Sequence, residues 1–437
     1  MENKKPFISR RKRFLADMGP RSVALIAAAP ITFRNADVEN DYRQNSDFFY
    51  LTGFDEPDSV LLLSTMGPEE KAVLFVRPRD RDRELWEGPR KGCDGAKLDL
   101  EVDATHPIEE LSEKLPDYLM NVESLYYRFG IDRGFDDLVF QAINRLRKRI
   151  REGLSAPRRI VDSSSILHEH RLVKTKHEIA SIEAAAAITR EAFLRAMEVA
   201  RPGRFEYKVE AEISRVFRSH GCRHHAFGCI VASGANATFL HYRNNDRLLL
   251  GNELLLIDAG VEYGYYASDV TRTFPVGGSF SRAQRALYEL VLEAQQAAIE
   301  SVRPGATLDD IHDKAVTVLT SGLIGLRILK GPLEKAIDEK SYKEFYMHRT
   351  SHWLGMDVHD VGDYFIDEKP RLLKEGIVLT VEPGIYIPES AKVARKWRGI
   401  GIRVEDDIVV TREGHRNLTS DIPKSVSEIE RILAERR

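Results

Sequence analysis

The chain is 437 residues long, with 43% hydrophobic and 30% charged residues and a formal net charge of −3. That length suits two or three domains, and either half of a two-domain split is long enough to bury its own core. The near-neutral balance gives no electrostatic footprint for nucleic acid or an anionic membrane, and no stretch of eighteen apolar residues marks a transmembrane helix.

In chain order, residues 9–18 read as a basic helix. Its Ser9-Arg10-Arg11-Lys12-Arg13-Phe14-Leu15 string has the look of a twin-arginine export signal, but Asp17, Pro20 and Arg21 interrupt the apolar stretch such a signal needs. Cys93, Cys222 and Cys229 are the only cysteines, with no C-x-x-C spacing. Reduced thiols in a cytoplasmic protein are therefore expected. Residues 23–29, 59–64 and 71–77 are rich in Val, Ile, Leu and Ala and predict strands. Residues 136–152 carry Leu138, Ile143, Leu146 and Ile150 at helical spacing, and residues 153–165 read as irregular. A helix over 175–200, stopped by Pro202-Gly203, opens a second unit. The expected domains are 1–170 and 171–437. In the second, strands are expected at 229–233, 253–258, 269–274, 377–382 and 400–410, with amphipathic helices at 281–302 and 308–322. This is an α+β pattern with hairpins, without the regular strand–helix succession of a doubly wound sheet.

Acidic residues punctuate the apolar strands of the second unit. Asp258 follows Leu254-Leu255-Leu256-Ile257, and Asp269 lies on the next strand. A two-residue turn at Tyr263-Gly264 would set the two aspartates directly opposite, with Cβ atoms roughly 5 Å apart. Carboxylates that close repel unless a cation or proton lies between them. His348, His352 and His359 fall within twelve residues of a glycine-punctuated segment. A lone buried histidine is more often a hydrogen-bonded core residue, but three beside acidic strands point to metal ligation and oxyanion stabilisation. Glu382, before Pro383-Gly384, and Glu405, in Gly399-Ile400-Gly401-Ile402-Arg403-Val404-Glu405, each interrupt an apolar segment where an unpaired carboxylate is costly. Arg403 and Glu405 are two apart and are expected on one strand face, with Arg403 a salt-bridge partner or a contact for a substrate carboxylate. Taken together, Asp258, Asp269, His352, Glu382 and Glu405 suit two divalent cations. The oxygen-rich donor set leans toward Mn2+ over Zn2+.

The strings LLLIDAG, ASDVTRTF, SHWLGMDVHDVG, LTVEPGIYI and GIGIRVEDDI, with NSDFFYLTGFDEPDSVLLL near the start, closely resemble the pita-bread metallopeptidases of the aminopeptidase P family over almost the whole chain. The resemblance implies a pita-bread metallopeptidase fold behind a smaller creatinase-type α/β domain. It implies a Xaa-Pro aminopeptidase that uses a two-metal, bridging-hydroxide mechanism on peptides with proline at position two. In that reading Asp258 chelates one metal, Asp269 and Glu405 bridge both, and His352 and Glu382 complete the shell, Glu382 also shuttling a proton. His241 and His359 bind substrate, supported by His348. The family habit is a dimer or tetramer, with Trp86 matching a tryptophan that reaches an active site, often that of a neighbouring subunit. Phe227 stands where relatives commonly carry tyrosine. A prolidase, acting on dipeptides, and a non-catalytic pita-bread binding module remain the alternatives; the second should lack ligands that are all present here.

Overall fold

The computed structural model describes residues 4–67 and 71–436, so residues 1–3, 68–70 and 437 of the two expected domains lie outside it. The chain divides into two compact units, one running through Glu169 and the other starting at His170.

The first unit is built on a six-stranded mixed sheet. Its strands are β1 (Ser22–Ala27), β2 (Val60–Ser64), β3 (Lys71–Val76), β4 (Ala104–Pro107), β5 (Ser124–Tyr126) and β6 (Arg159–Val161). Their spatial order is β4-β3-β2-β1-β5-β6. β1 and β2 are buried along their whole length save for the end of β1, which is why they read as continuous apolar runs. Val23, Leu25, Val60, Leu62, Val73 and Phe75 share one core with Leu111, Leu115, Val139, Ile143 and Leu146 from two helices. Strand β6 lies inside the stretch expected to be irregular. Three residues between Pro157 and a serine run carry too little pattern to reveal it. The basic helix α1 (Lys5–Met18) is part of this fold. Arg11 is buried and donates to the carbonyls of Leu51 (3.0 Å) and Leu100 (2.7 Å), while Phe14, Leu15 and Met18 face inward.

The second unit contains α2 (Lys176–Val199), α3 (Glu206–Ser219), α4 (Arg282–Glu300) and α5 (Leu308–Gly325). Thr175 with Glu178, Ser281 with Gln284 and Thr307 with Asp310 form capping boxes that start α2, α4 and α5. Besides a short hairpin at 365–370, its strands are β7 (Ile230–Ser233), β8 (Leu254–Ala259), β9 (Glu262–Tyr263), β10 (Tyr266–Ala267), β11 (Val270–Pro275), β12 (Val378–Val381), β13 (Gly384–Ile387), β14 (Ile400–Arg403), β15 (Asp406–Val410) and β16 (His415–Asn417). They pair as β11-β8-β7, β12-β15-β16 and β13-β14, with β9-β10 as the hairpin tip. One large core joins residues of α2, α3 and α4 to the apolar faces of β8, β13 and β14. Among the described residues, no helix is long and apolar enough to cross a membrane.

Two expectations about these strands need correction. The hairpin turns at Gly264-Tyr265, both in the left-handed region, so Tyr263 pairs with Tyr266 and Asp258 stands opposite Thr271. Two positive-φ residues give the turn whose twist matches its strands. Asp269 is therefore a diagonal neighbour of Asp258 and not its direct partner. The shift is two residues, an even number, so both carboxylates still share a face. The expected strand 400–410 is two strands. Gly384 pairs with Arg403 and Val381 with Asp406, which leaves Glu382 facing Glu405 and Pro383 facing Val404 in the gap between the ladders. Pro383 has no N–H for a ladder bond, and the Glu405 amide instead donates to the carbonyl of Thr271 (3.1 Å). Glu405 thus lies between the two ladders, and it still lines the same cavity as Arg403, as their spacing of two predicts.

Candidate metal centre

The two ladders keep one register across the gap, and this sets Glu382 opposite Glu405, beside the face carrying Asp258 and Asp269. Close approach of the two hairpin arms makes this possible, since a Cβ on Gly260 would collide with the carbonyl of Ser268. A cavity of about 320 Å³ is lined by Asp258, Asp269, His352, Glu382 and Glu405, together with His241, His348, His359, Arg403 and Phe227. Every residue singled out from the sequence as catalytic or metal-binding therefore meets in one place, a cavity in the size range of small-ligand sites.

Ligand-capable atoms of Asp269, His352 and Glu405 lie within 4.8 Å of one another. His352 points its Nδ1 at the Trp353 carbonyl (3.0 Å). A carbonyl only accepts, so Nδ1 carries the proton and Nε2 keeps a lone pair facing the cavity. That Nε2 is 3.3 Å from Asp269 Oδ2 and 3.7 Å from Glu382 Oε1. Asp258 Oδ1 is buried with no hydrogen-bond partner among the described residues. An orphaned buried carboxylate oxygen is expensive, and so are clustered carboxylates in the ionised form. Burial, then Asp258, Asp407 and Glu382, push the Asp269 carboxyl well above its usual range. Burial, then Asp269, Glu382 and Asp258, do the same for Glu405. Burial raises Glu382 to about 7, against the pull of His352 and Arg403. These residues fit a divalent cation site: its charge would reverse all three shifts and satisfy the orphan oxygen.

Arg403 organises the opposite wall. Its Nη2 donates to Asp258 Oδ2 (2.5 Å), its Nε to Thr271 Oγ1 (3.0 Å) and its Nη1 to the Tyr386 hydroxyl (3.0 Å). Thr271 Oγ1 in turn donates to Glu405 Oε2 (2.6 Å). Arg403 is the salt-bridge partner of Asp258, not of Glu405. The Tyr386 hydroxyl donates to His348 Nε2 (2.9 Å), whose Nδ1–H meets the carbonyl of Arg349 (2.8 Å). Burial, reinforced by Arg403, depresses His348 to about 3, so it is neutral across the physiological range. His359 stacks edge-on against His352, with ring centroids 4.3 Å apart. Burial, then His352 and His241, lower its pKa as well. His241 is exposed at the cavity rim.

Thr271 and Tyr386 were not singled out from the sequence. Thr271 had a legible signal, standing two residues after Asp269 and so on the same strand side. Tyr386 had none, because an aromatic in an apolar strand reads as core.

Four clustered carboxylates beside a histidine whose Nε2 faces two of them, all on the second, α+β unit of the chain, are the makings of a metal-dependent hydrolase. Residues 180–412 match the metallopeptidase family M24, and residues 7–126 match the aminopeptidase P N-terminal domain. The chain is 44% identical to a Xaa-Pro aminopeptidase of Escherichia coli, covering 100% of this chain and 99% of that protein. It is similar to the structure of Pseudomonas aeruginosa aminopeptidase PepP (TM-score 0.97, 47% identity, 99% of this chain and 98% of that one). It is equally similar to a zinc-substituted E. coli aminopeptidase P in complex with product (TM-score 0.97, 44% identity, 100% and 99%). The chain belongs to the aminopeptidase P family of M24 metallopeptidases. It is a metal-dependent peptidase whose cofactors are divalent cations.

Proposed function

We infer that the chain is a Xaa-Pro aminopeptidase, removing the N-terminal residue from peptides whose second residue is proline. The observation that carries this is the cluster of four carboxylates around His352, with one arginine to set against them, in a chain that matches a Xaa-Pro aminopeptidase from end to end. A dipeptide-only prolidase is not favoured by these relatives.

Asp258, Asp269, His352, Glu382 and Glu405 would hold a pair of divalent cations, with Mn2+ favoured because four of five donors are carboxylates. When bound, the pair supplies Lewis acidity and lowers the pKa of water at the site. Glu382, whose carboxylate faces the cavity beside His352, is suited to move a proton toward the leaving nitrogen. His241 and His359 offer N–H donors to the substrate carbonyls, and neutral His348 is held by Tyr386 to support them. Arg403 fixes Asp258 and restrains it from turning away. A proline imide has no N–H, so recognition of the second residue rests on shape and on donors to its carbonyls. The reading extends to a cytoplasmic homo-oligomer, a dimer or tetramer. Free Cys93, Cys222 and Cys229 support the compartment, and the adjacent Leu85 and Trp86, 78% and 90% exposed, support self-association.

The test is cleavage of a Xaa-Pro-Yaa tripeptide against a Xaa-Pro dipeptide, before and after chelation. Tripeptide cleavage that chelation removes and Mn2+ restores is expected. Cleavage of the dipeptide alone overturns the substrate, and undiminished activity in metal-depleted protein overturns the mechanism.

A further inference from the structure

The cavity has three arginines on its wall, and they differ in what holds them. Arg403 is bonded to Asp258, and Arg349 is paired with Asp309. Arg243 lines the same cavity, is exposed, and makes no hydrogen bond or ion pair with any described residue. A long side chain with no partner ordinarily extends into water, where its charge is best solvated. This one instead lies back against Gly228, close enough that a Cβ there would collide with its Nη1 and stand 3.1 Å from its Cζ. The guanidinium occupies space that only glycine leaves open.

The backbone that presents Arg243 is also fixed. On one side, the Tyr242 hydroxyl donates to buried Glu206 Oε2 (2.8 Å). On the other, the side chain of buried Asn245 accepts from the Val231 amide (2.9 Å) and donates to the Cys229 carbonyl (3.0 Å) and Glu210 Oε2 (3.0 Å). Glu206 and Glu210 are one turn apart on α3, so a single helix face clamps the segment bearing both His241 and Arg243. Arg243 is a preorganised cation, and less entropy is lost when it binds than for a free surface arginine.

A short peptide is a dipole, ammonium at one end and carboxylate at the other. The N-terminal end must reach the metal centre on the floor of this cavity, and the wall then offers the other end one uncommitted cation. We propose that Arg243, seated over Gly228, binds the C-terminal carboxylate of short peptide substrates and biases the enzyme toward peptides with a free C-terminus. This rests on the Xaa-Pro aminopeptidase reading above and adds a length and charge preference to it.

The experiment compares kcat/KM for a Xaa-Pro-Yaa tripeptide acid with its C-terminal amide, using the metal-loaded full chain. The acid is expected to be favoured about tenfold, the scale of one charge-assisted contact in a partly wet site, and the preference should shrink with added salt. Arg243→Gln should bring the ratio close to one, mainly through KM for the acid, and Arg243→Lys should keep part of it. Gly228→Ala, which displaces the guanidinium without removing it, should lower the ratio in the same direction. An unchanged ratio in Arg243→Gln, or a wild-type ratio of one, overturns the proposal while leaving the peptidase reading intact. Failure of the wild type to cleave either form would instead overturn the reading on which it rests.

Discussion

Glu405 and Asp406 are adjacent, and both are buried, yet they belong to opposite kinds of environment. Around Asp406, protein groups satisfy the carboxylate. Arg272 Nη2 donates at 2.7 Å, Asn417 Nδ2 at 2.9 Å, Thr419 Oγ1 at 3.0 Å and Gln295 Nε2 at 3.2 Å, and Lys424 makes an ion pair. Burial pushes the Asp406 carboxyl up, but Arg272 and Lys424 outweigh it and hold the group well below the ordinary carboxylate range. Around Glu405 the neighbours are Asp269, Glu382 and Asp258, and its carboxyl is driven the other way. The contrast teaches how to separate a structural buried charge from a functional one. A scaffold charge is neutralised by its own chain, whereas this site sets one arginine, paired to Asp258, against four carboxylates and leaves the rest of the charge for a cation from outside.

The sharpest way to break that comparison is to remove one charge from each side. Glu405→Gln keeps the volume and the bond from Thr271. It should lower kcat/KM at least ~1,000-fold, about 4 kcal/mol of barrier, while the metal-free protein melts no lower than wild type because a like charge has gone. Asp406→Asn leaves buried Arg272 uncompensated and should destabilise the protein by about 3–5 kcal/mol, read as a fall in Tm and in denaturant midpoint. Equal loss of stability in both variants would end the distinction.

Next in size is the response to pH. Asp269, Glu382 and Glu405 have raised pKa values without metal, so cation binding must displace protons from the cluster. As pH falls below the Glu382 value of about 7, the proton competes and metal affinity should drop by about tenfold per pH unit for each proton displaced. Calorimetry of Mn2+ binding in buffers of different ionisation enthalpy would count the protons released near pH 6. A count of zero would mean the cluster is already ionised. The smallest effect is expected at the cavity wall. Tyr386→Phe removes the donor to His348 and should cut kcat by roughly tenfold, the scale of one lost hydrogen bond, with little change in metal content. A metal-free Tyr386→Phe protein would show that the relay is part of the metal site itself.

Much of this was legible from residues alone. Asp258 and Glu382 stand out because carboxylates among apolar strand residues need a reason, and the three close histidines gave the neutral donors. The α+β class and most element positions followed from apolar periodicity. Tertiary structure decided the rest. Strand pairing chose the turn at Gly264-Tyr265, which made Asp258 and Asp269 diagonal neighbours, and held one register across Pro383, which set Glu382 to face Glu405. Local pattern specifies which face a side chain takes, but only long-range pairing specifies register. The partners of Arg403, and the seat of Arg243 over Gly228, lay equally beyond the sequence. A hydrogen bond between residues far apart in the chain leaves no periodic trace, and the order Glu405-Asp406 does not say which of two buried acids the protein will neutralise and which it will leave for metal.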